Sequence, residues 1–379
     1  MAFTANQQIF ELVRKNNSFL ITIKRDWSGD ALAASLVLAM ALKKLGKNVD
    51  VACDNFKTPT NLGFLPTLEI KNHLSNLQKF IVSLNTARTK LGEFNYDHSD
   101  GKLNIYITPE EGQFNHEDVS TSISDYKYDI IFVIGTPDLH ALGTIYANQS
   151  DFFYTKPKIN IDHSPKNEYF GDINVVNLAS SSTSEIIYEL INESEPGLID
   201  EDIATYILSG IIMATKNFKT KGVTPHTMNL ASELISKGAR REQIIQCLYQ
   251  NRFISTLKLW GRVLSRLNND LDDKLIWSVL SHQDFLETST TPEELEDVIE
   301  ELIVSMPKTE IIVLIYEADK FNNHEVCAIV YSAKNFDASW VTEKFNSIGN
   351  KEIAKFSLTG VTLSQAERTI IEEIKNKIR

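Results

Sequence analysis

Short apolar runs and longer helical stretches alternate along the first half of the chain. Residues 18–23, 129–134 and 158–161 are rich in Ile, Val and Phe with few polar interruptions, the pattern of strands covered on both faces of a parallel sheet. Residues 31–45 are apolar on most sides and stop at Gly46, which predicts a buried helix, and residues 48–53 predict the strand after it. Such alternation implies an α/β domain. Its loops after Ile23, Ile134 and Ile161 should gather at the carboxyl edge of the sheet, where open parallel sheets bind ligands.

Between Phe80 and Pro109 the period changes to two, with the turn signal Asp100-Gly101 in the middle. An inserted antiparallel hairpin or small meander is expected at about 79–110, serving as a lid, as a homodimer or partner contact, or as decoration. From Ser182 to Ile254 the pattern is helical. Ser182 and Glu185 stand at capping-box spacing, and the runs 203–215 and 228–236 follow, the second stopped by Gly238. Strands are expected at 275–280, 311–316 and 326–331, then a terminal amphipathic helix over 362–378 with Ile370, Ile371, Ile374 and Ile378 on one face. The polar stretch 268–273 reads as a linker. The expected organisation is a first domain over 1–267, including a helical connector, and a smaller second α/β domain over 268–379.

Composition narrows the partners. With 379 residues, 42% apolar and 23% charged, the chain can bury two or three ordinary cores. A net charge of −12 argues against general affinity for nucleic acid, so any polyanion must meet a local basic site. Cys53, Cys247 and Cys327 are odd in number, far apart and inside apolar runs, which points away from disulfides and zinc clusters and toward a reducing cytoplasm. No window approaches the run of about 20 apolar residues that spans a bilayer, and the N-terminus is polar, so neither membrane insertion nor export is expected.

The densest chemistry is Asp162-His163-Ser164-Pro165-Lys166-Asn167, followed by Phe170-Gly171-Asp172 and by Ser182-Thr183-Ser184-Glu185. This run resembles the Asp-His-His segment of the DHH phosphoesterase superfamily, in the oligoribonuclease (nanoRNase) branch that joins a DHH domain to a DHH-associated domain. The resemblance implies a cleft between two α/β domains, with manganese or magnesium in the related enzymes. It also locates the family's ligand positions at Lys24, Ser28, Asp30, Gly135, His163 and Ala214. Lys24 stands for a His, Ser28 and Ala214 for carboxylates, Gly135 for the bridging Asp, and Ser164 for the second His of the triplet. Ser347-Ile348-Gly349-Asn350 stands where the family has a Gly-Gly-Gly-His loop.

Two divalent ions about 4 Å apart need a bridging ligand and several anionic donors. Only Asp30 and His163 survive among those positions, so no metal is expected, and Asp30, Asp162 and His163 are remnants of the catalytic set. Candidate ligand contacts are Lys24, Arg25, Ser28, Asn167, Lys216 and Asn350, with Lys219 and Lys221 nearby. These cations either hold a phosphate directly or form a solvated rim. Asp162 reads as an acceptor for loop amides, His163 as a hydrogen-bonded histidine, His226 as a surface or capping residue, and Trp27 as a filler of the vacated cavity. The resulting expectation is a catalytically degenerate homologue that binds a phosphorylated small molecule, nucleotide or short nucleic acid. The alternatives are an active phosphoesterase with an unorthodox site and a structural or regulatory scaffold.

Overall fold

The computed structural model describes residues 4–378 apart from 58, 60–61, 66–68, 221, 251–253, 296–297, 300–305, 307, 319–324 and 333–335, and it divides into compact units at Leu248/Tyr249. The first unit runs α1 (Ala5–Lys15), β1 (Ser18–Ile23), α2 (Gly29–Lys44), β2 (Asn48–Ala52) and β3 (Ile70–Lys71). The insertion follows with β4 (Phe80–Leu84), β5 (Leu91–Ser99), β6 (Lys102–Pro109) and β7 (Val119–Ile123). Then come β8 (Ile130–Ile134), α3 (Thr144–Ala147), α4 (Ser150–Thr155), β9 (Lys158–Asp162), β10 (Ile173–Val176), α5 (Thr183–Ser194), α6 (Glu201–Ala214), α7 (Pro225–Ser236) and α8 (Arg241–Ile245).

Among the described residues, six of these strands form one parallel sheet in the order β10-β9-β8-β1-β2-β3. Alternate side chains of β8 face opposite layers, as strand geometry requires. Phe132 lies with Ile9 and Val13 of α1 and Leu38 and Leu42 of α2, whereas Ile131 and Val133 pack with Ile145, Phe152 and Phe153 of α3 and α4. Helices therefore cover both faces. α2 is apolar all round because it is enclosed all round, by the sheet on one side and by α5 and α6 on the other.

The insertion is larger than its period-two signal. β5 and β6 pair across the Asp100-Gly101 turn as expected, but β4 pairs with β7, which lies beyond the expected limit at 110. β7 escaped notice because its sequence, Val-Ser-Thr-Ser-Ile, is half polar. The two ladders are nested, so the insertion is a single interrupted ribbon.

The second unit contains α9 (Ile254–Ser265), β11 (Asn268–Asp270), β12 (Leu275–Leu280), α10 (His282–Thr288), β13 (Ile311–Glu317), β14 (Glu325–Ser332), β15 (Ile348–Gly349), β16 (Ile353–Thr359) and a terminal helix, Leu363–Ile378. Its described strands form a mixed sheet ordered β11-β12-β13-β14-β16-β15. Val313, Ile315 and Val330 pack on Ile370, Ile371 and Ile374 of the terminal helix, while Ile312, Leu314 and Ile329 pack on Leu259 and Val263 of α9 and Phe285 of α10. α9 is thus part of this core, and the division falls before it rather than at the expected 267/268. The expected linker 268–273 is a strand and a tight turn, in which Leu271, Asp272 and Asp273 have φ of 54°, 56° and 67°.

Candidate active site

β1 delivers the chain to the carboxyl edge, where Ser28 caps α2 by accepting from Ala31 N at 3.2 Å. Gly29 lets α2 start against the end of α6, since a Cβ there would collide with Met213 Sδ. Asp30 follows in the first turn, 3% exposed and aimed at the N-terminus of α5. Its Oδ2 accepts from Thr183 N at 2.7 Å, and its Oδ1 accepts from Ser184 N at 3.0 Å and Ser184 Oγ at 2.6 Å. The positive end of the α5 dipole favours this carboxylate. Gly210 of α6 makes room for the arrangement, because a Cβ there would collide with Ser184 Oγ.

β8 is followed directly by Gly135, with φ of 56°, where a Cβ would stand 2.8 Å from Ala31 Cβ. The position has no side chain and no space for one. β9 ends on Asp162, whose Oδ1 accepts from His163 N at 2.8 Å and Ser164 N at 3.2 Å while Oδ2 accepts from Asn167 Nδ2 at 2.9 Å. Asn167 is buried and also donates to Thr136 O at 3.0 Å and accepts from Asn160 Nδ2 at 2.7 Å. Its amide ties the loop after β9 to the segment that follows β8. His163 Nδ1 lies 3.0 Å from Thr183 Oγ1, 4.0 Å from Asp30 Oδ2 and 3.9 Å from Asp162 Oδ1. One edge therefore brings Asp30 to Asp162 and His163, which lie far from it in the chain.

The candidate cations are distributed less tightly. Lys24 is half-buried at the end of β1, and its carbonyl accepts from Cys53 Sγ at 3.6 Å. Arg25 is exposed, with Nε 3.9 Å from Asp54 Oδ2, so its charge is already partly answered. Lys216 is exposed in a turn where Lys216, Asn217 and Phe218 all have positive φ, held as Asn217 N and Lys219 N cap the α6 carbonyls of Ile212 and Thr215. Lys221 lies outside the described residues. Trp27 packs on Phe56 with ring centroids 5.4 Å apart. Asn350 belongs to the second unit, where its Oδ1 accepts from Glu352 N at 2.8 Å and Ile353 N at 3.0 Å. It closes the β15–β16 hairpin, and Gly349 is required there because a Cβ would collide with Ile353 O.

Two arrangements went unread in the sequence. Asp54 accepts from Thr144 N at 2.9 Å and Thr144 Oγ1 at 2.8 Å. The Thr144 amide, against the opposing pull of burial and with help from the Thr144 hydroxyl and Arg25, holds its carboxyl below the usual carboxylate range. Neighbouring Cys53 is pushed up to about 12 by burial, then by the carboxylates of Asp54 and Asp26. Glu185 and Glu189 of α5 and His226 of α7 bring one ligand-type atom each within 4.8 Å of the others. The spacing of the two Glu on one helix face was the available signal. Glu185 does not complete the expected capping box. Its Oε2 accepts from Ser181 N at 2.9 Å and Ser181 Oγ at 2.9 Å, while Ser182 Oγ accepts from Glu185 N at 3.1 Å. His226 Nε2, 3.0 Å from Glu189 Oε1, links α7 to α5.

A parallel α/β sheet with an Asp-His segment at its carboxyl edge is what residues 18–211 build around these side chains. The chain belongs to the DHH family: the model of the DHH family, N-terminal domain, matches residues 18–211, just over half of its length. It is similar to the bifunctional oligoribonuclease and PAP phosphatase NrnA of Thermus thermophilus, 26% identical over 220 residues, which cover 58% of this chain and 64% of that protein. The Bacillus subtilis protein of the same name is 31% identical over 144 residues, covering 37% of this chain and 45% of its own. The chain thus spans less than two thirds of the length of these curated relatives. An exopolyphosphatase-related protein from Bacteroides fragilis superposes with a TM-score of 0.68 at 18% identity, covering 98% of this chain and 96% of the other, a likeness of fold.

Proposed function

We propose that this protein binds a phosphorylated small molecule, nucleotide or short nucleic acid at the carboxyl edge of its parallel sheet without hydrolysing it through paired metal ions. One observation carries the reading: each carboxylate oxygen of Asp30 and Asp162 already accepts from a donor of its own chain. Asp30 Oδ1 accepts two such bonds, from Ser184 N and Ser184 Oγ, so its lone pairs are taken, and both carboxylates are held by their own loops before any outside group arrives. The donor set does not fit a pair of divalent ions, since Gly135 supplies no bridge and Lys24, Ser28 and Ala214 supply no anion. In their place the half-buried Lys24 brings an ammonium group suited to a phosphate oxygen.

The alternative is an active phosphoesterase. It is favoured by the convergence of His163 on Asp30 and Asp162 within 4.0 Å, and by relatives named as oligoribonucleases and PAP phosphatases. Incubation with manganese and a dinucleotide, with bound metal and product measured together, separates the two. The binding reading expects neither stoichiometric metal nor turnover, and robust turnover lost in His163→Ala overturns it. In chelator, phosphate or a mononucleotide should raise the melting temperature of wild type but not of Lys24→Ala. No shift in wild type removes the phosphate pocket.

A further inference from the structure

The ribbon from Phe80 to Ile123 is amphipathic in both of its ladders. Residues directly opposite in an antiparallel pair project to the same face. In β5–β6 one face carries Phe94 opposite Ile107, Tyr96 opposite Ile105 and His98 opposite Leu103, and the other carries Asn95 opposite Tyr106 and Asp97 opposite Asn104. In β4–β7 one face carries Phe80 opposite Ile123, Val82 opposite Thr121 and Leu84 opposite Val119, and the other is mostly serine. Among the described residues nothing covers either apolar face. Phe80 is 71% exposed, Tyr96 69%, Ile123 66%, Leu103 59% and Phe94 56%.

At roughly 150–250 Å² for each large aromatic side chain, Phe80, Phe94 and Tyr96 alone expose on the order of 300–500 Å² over the two ladders, and Ile123, Leu103, Val82, Ile105 and Val119 add to it. Together these side chains reach the upper end of the patches of about 300–600 Å² usual on monomers. A standard interface takes about 800 Å² from each partner, so both ladders have to contribute to one. Charge narrows the occupant. Between Phe80 and Ile123 there are three basic residues, Arg88, Lys90 and Lys102, against seven acidic ones. An acidic ribbon repels nucleic acid and anionic lipid. The apolar faces themselves carry no Lys, Arg, Asp or Glu. A two-fold axis lays a surface on its own copy, which a charged face resists and an uncharged one permits.

We propose that the ribbon is a self-association arm whose apolar face stacks on the same face of a second copy of this chain. Stacked sheets pack about 10 Å apart, with side chains of the two inner faces interdigitating. The ribbon then becomes half of a small sandwich, which explains how strands with so little intrachain packing hold their ladders.

Sedimentation velocity on the full chain tests this. Wild type should be a dimer with a dissociation constant of roughly 1 μM or tighter, the range that interfaces of this size reach. The pair Phe94→Glu with Tyr96→Glu should be monomeric with an unchanged melting curve of the body, whereas Asn95→Glu on the opposite face should remain dimeric. If the glutamates disturb the ribbon itself, Phe94→Ser with Tyr96→Ser reads the same contact and should weaken the dimer at least tenfold. A wild type that stays monomeric at about 100 μM overturns the proposal. So does a dimer that survives the apolar-face variants, or one that Asn95→Glu disrupts equally.

Discussion

At the carboxyl edge of the parallel sheet, Asp30 and Asp162 are buried and every carboxylate oxygen meets a donor, whereas in the ribbon Phe80 and Tyr96 stand in solvent. The difference follows from what each kind of group tolerates. A buried polar group left unpaired loses its water and gains nothing, so the chain must supply its partners internally. An exposed apolar group loses little by waiting for a partner from outside. The edge therefore reads as finished within one chain, and the ribbon as unfinished without another.

The strongest way to break that contrast is Asp30→Ala. If the carboxylate serves chiefly to hold the start of α5, its removal strands Thr183 N, Ser184 N and Ser184 Oγ. The expected loss is about 3 kcal/mol, or roughly 6–12 °C in melting temperature measured in chelator. An unchanged or raised melting temperature would show that Asp30 is held at a cost, as catalytic carboxylates often are, and would return the edge to chemistry.

Gly135→Asp, which restores the family's bridging residue, sharpens the same point. The left-handed backbone and the nearby Ala31 Cβ predict a destabilisation of about 2 kcal/mol. Ala31→Gly should recover part of it in a calorimetric comparison of the single and double variants. Full tolerance of the single variant would mean that the edge opens more readily than its packing implies.

The smallest effect expected concerns pH. Because Asp54 is held below its ordinary range in the fold, it contributes stability that is present above its unfolded value of about 4 and is lost as pH falls through the lower folded value. Asp54→Asn should flatten the acid limb of the melting temperature below about pH 4 and leave its slope near neutrality unchanged. An acid limb identical to that of wild type would remove Asp54 from the groups that fasten this edge.

The parallel sheet was legible because strands buried on both faces spell themselves as unbroken apolar runs, as 129–134 does, and the β5–β6 turn because Asp100-Gly101 suits positive φ at both positions. The gathering of Asp30, Asp162 and His163 followed from the rule that parallel strands present their ends at one edge. What each side chain does there was less accessible. The donors to Asp30 lie more than 150 residues away in the chain. From the sequence Asn167 and Asn350 look alike, yet the Asn167 amide ties the ends of two neighbouring strands together while the Asn350 amide closes a hairpin. β7 carries too few apolar residues to announce a strand, and α9 is amphipathic toward a core that a linear pattern cannot locate.

The ribbon has a narrow neck. Lys79 N donates to Ser124 Oγ at 2.8 Å and Ser124 N donates back to Lys79 O at 2.8 Å, while Lys127 N reaches Leu77 O at 2.7 Å. The chain thus departs and returns at one point, and everything between is a detour from the path that builds the parallel sheet. A detour cinched at its base can be shortened, lost or rewritten over generations without shifting the register of the strands behind it. The sheet and its appendage are free to answer to different demands.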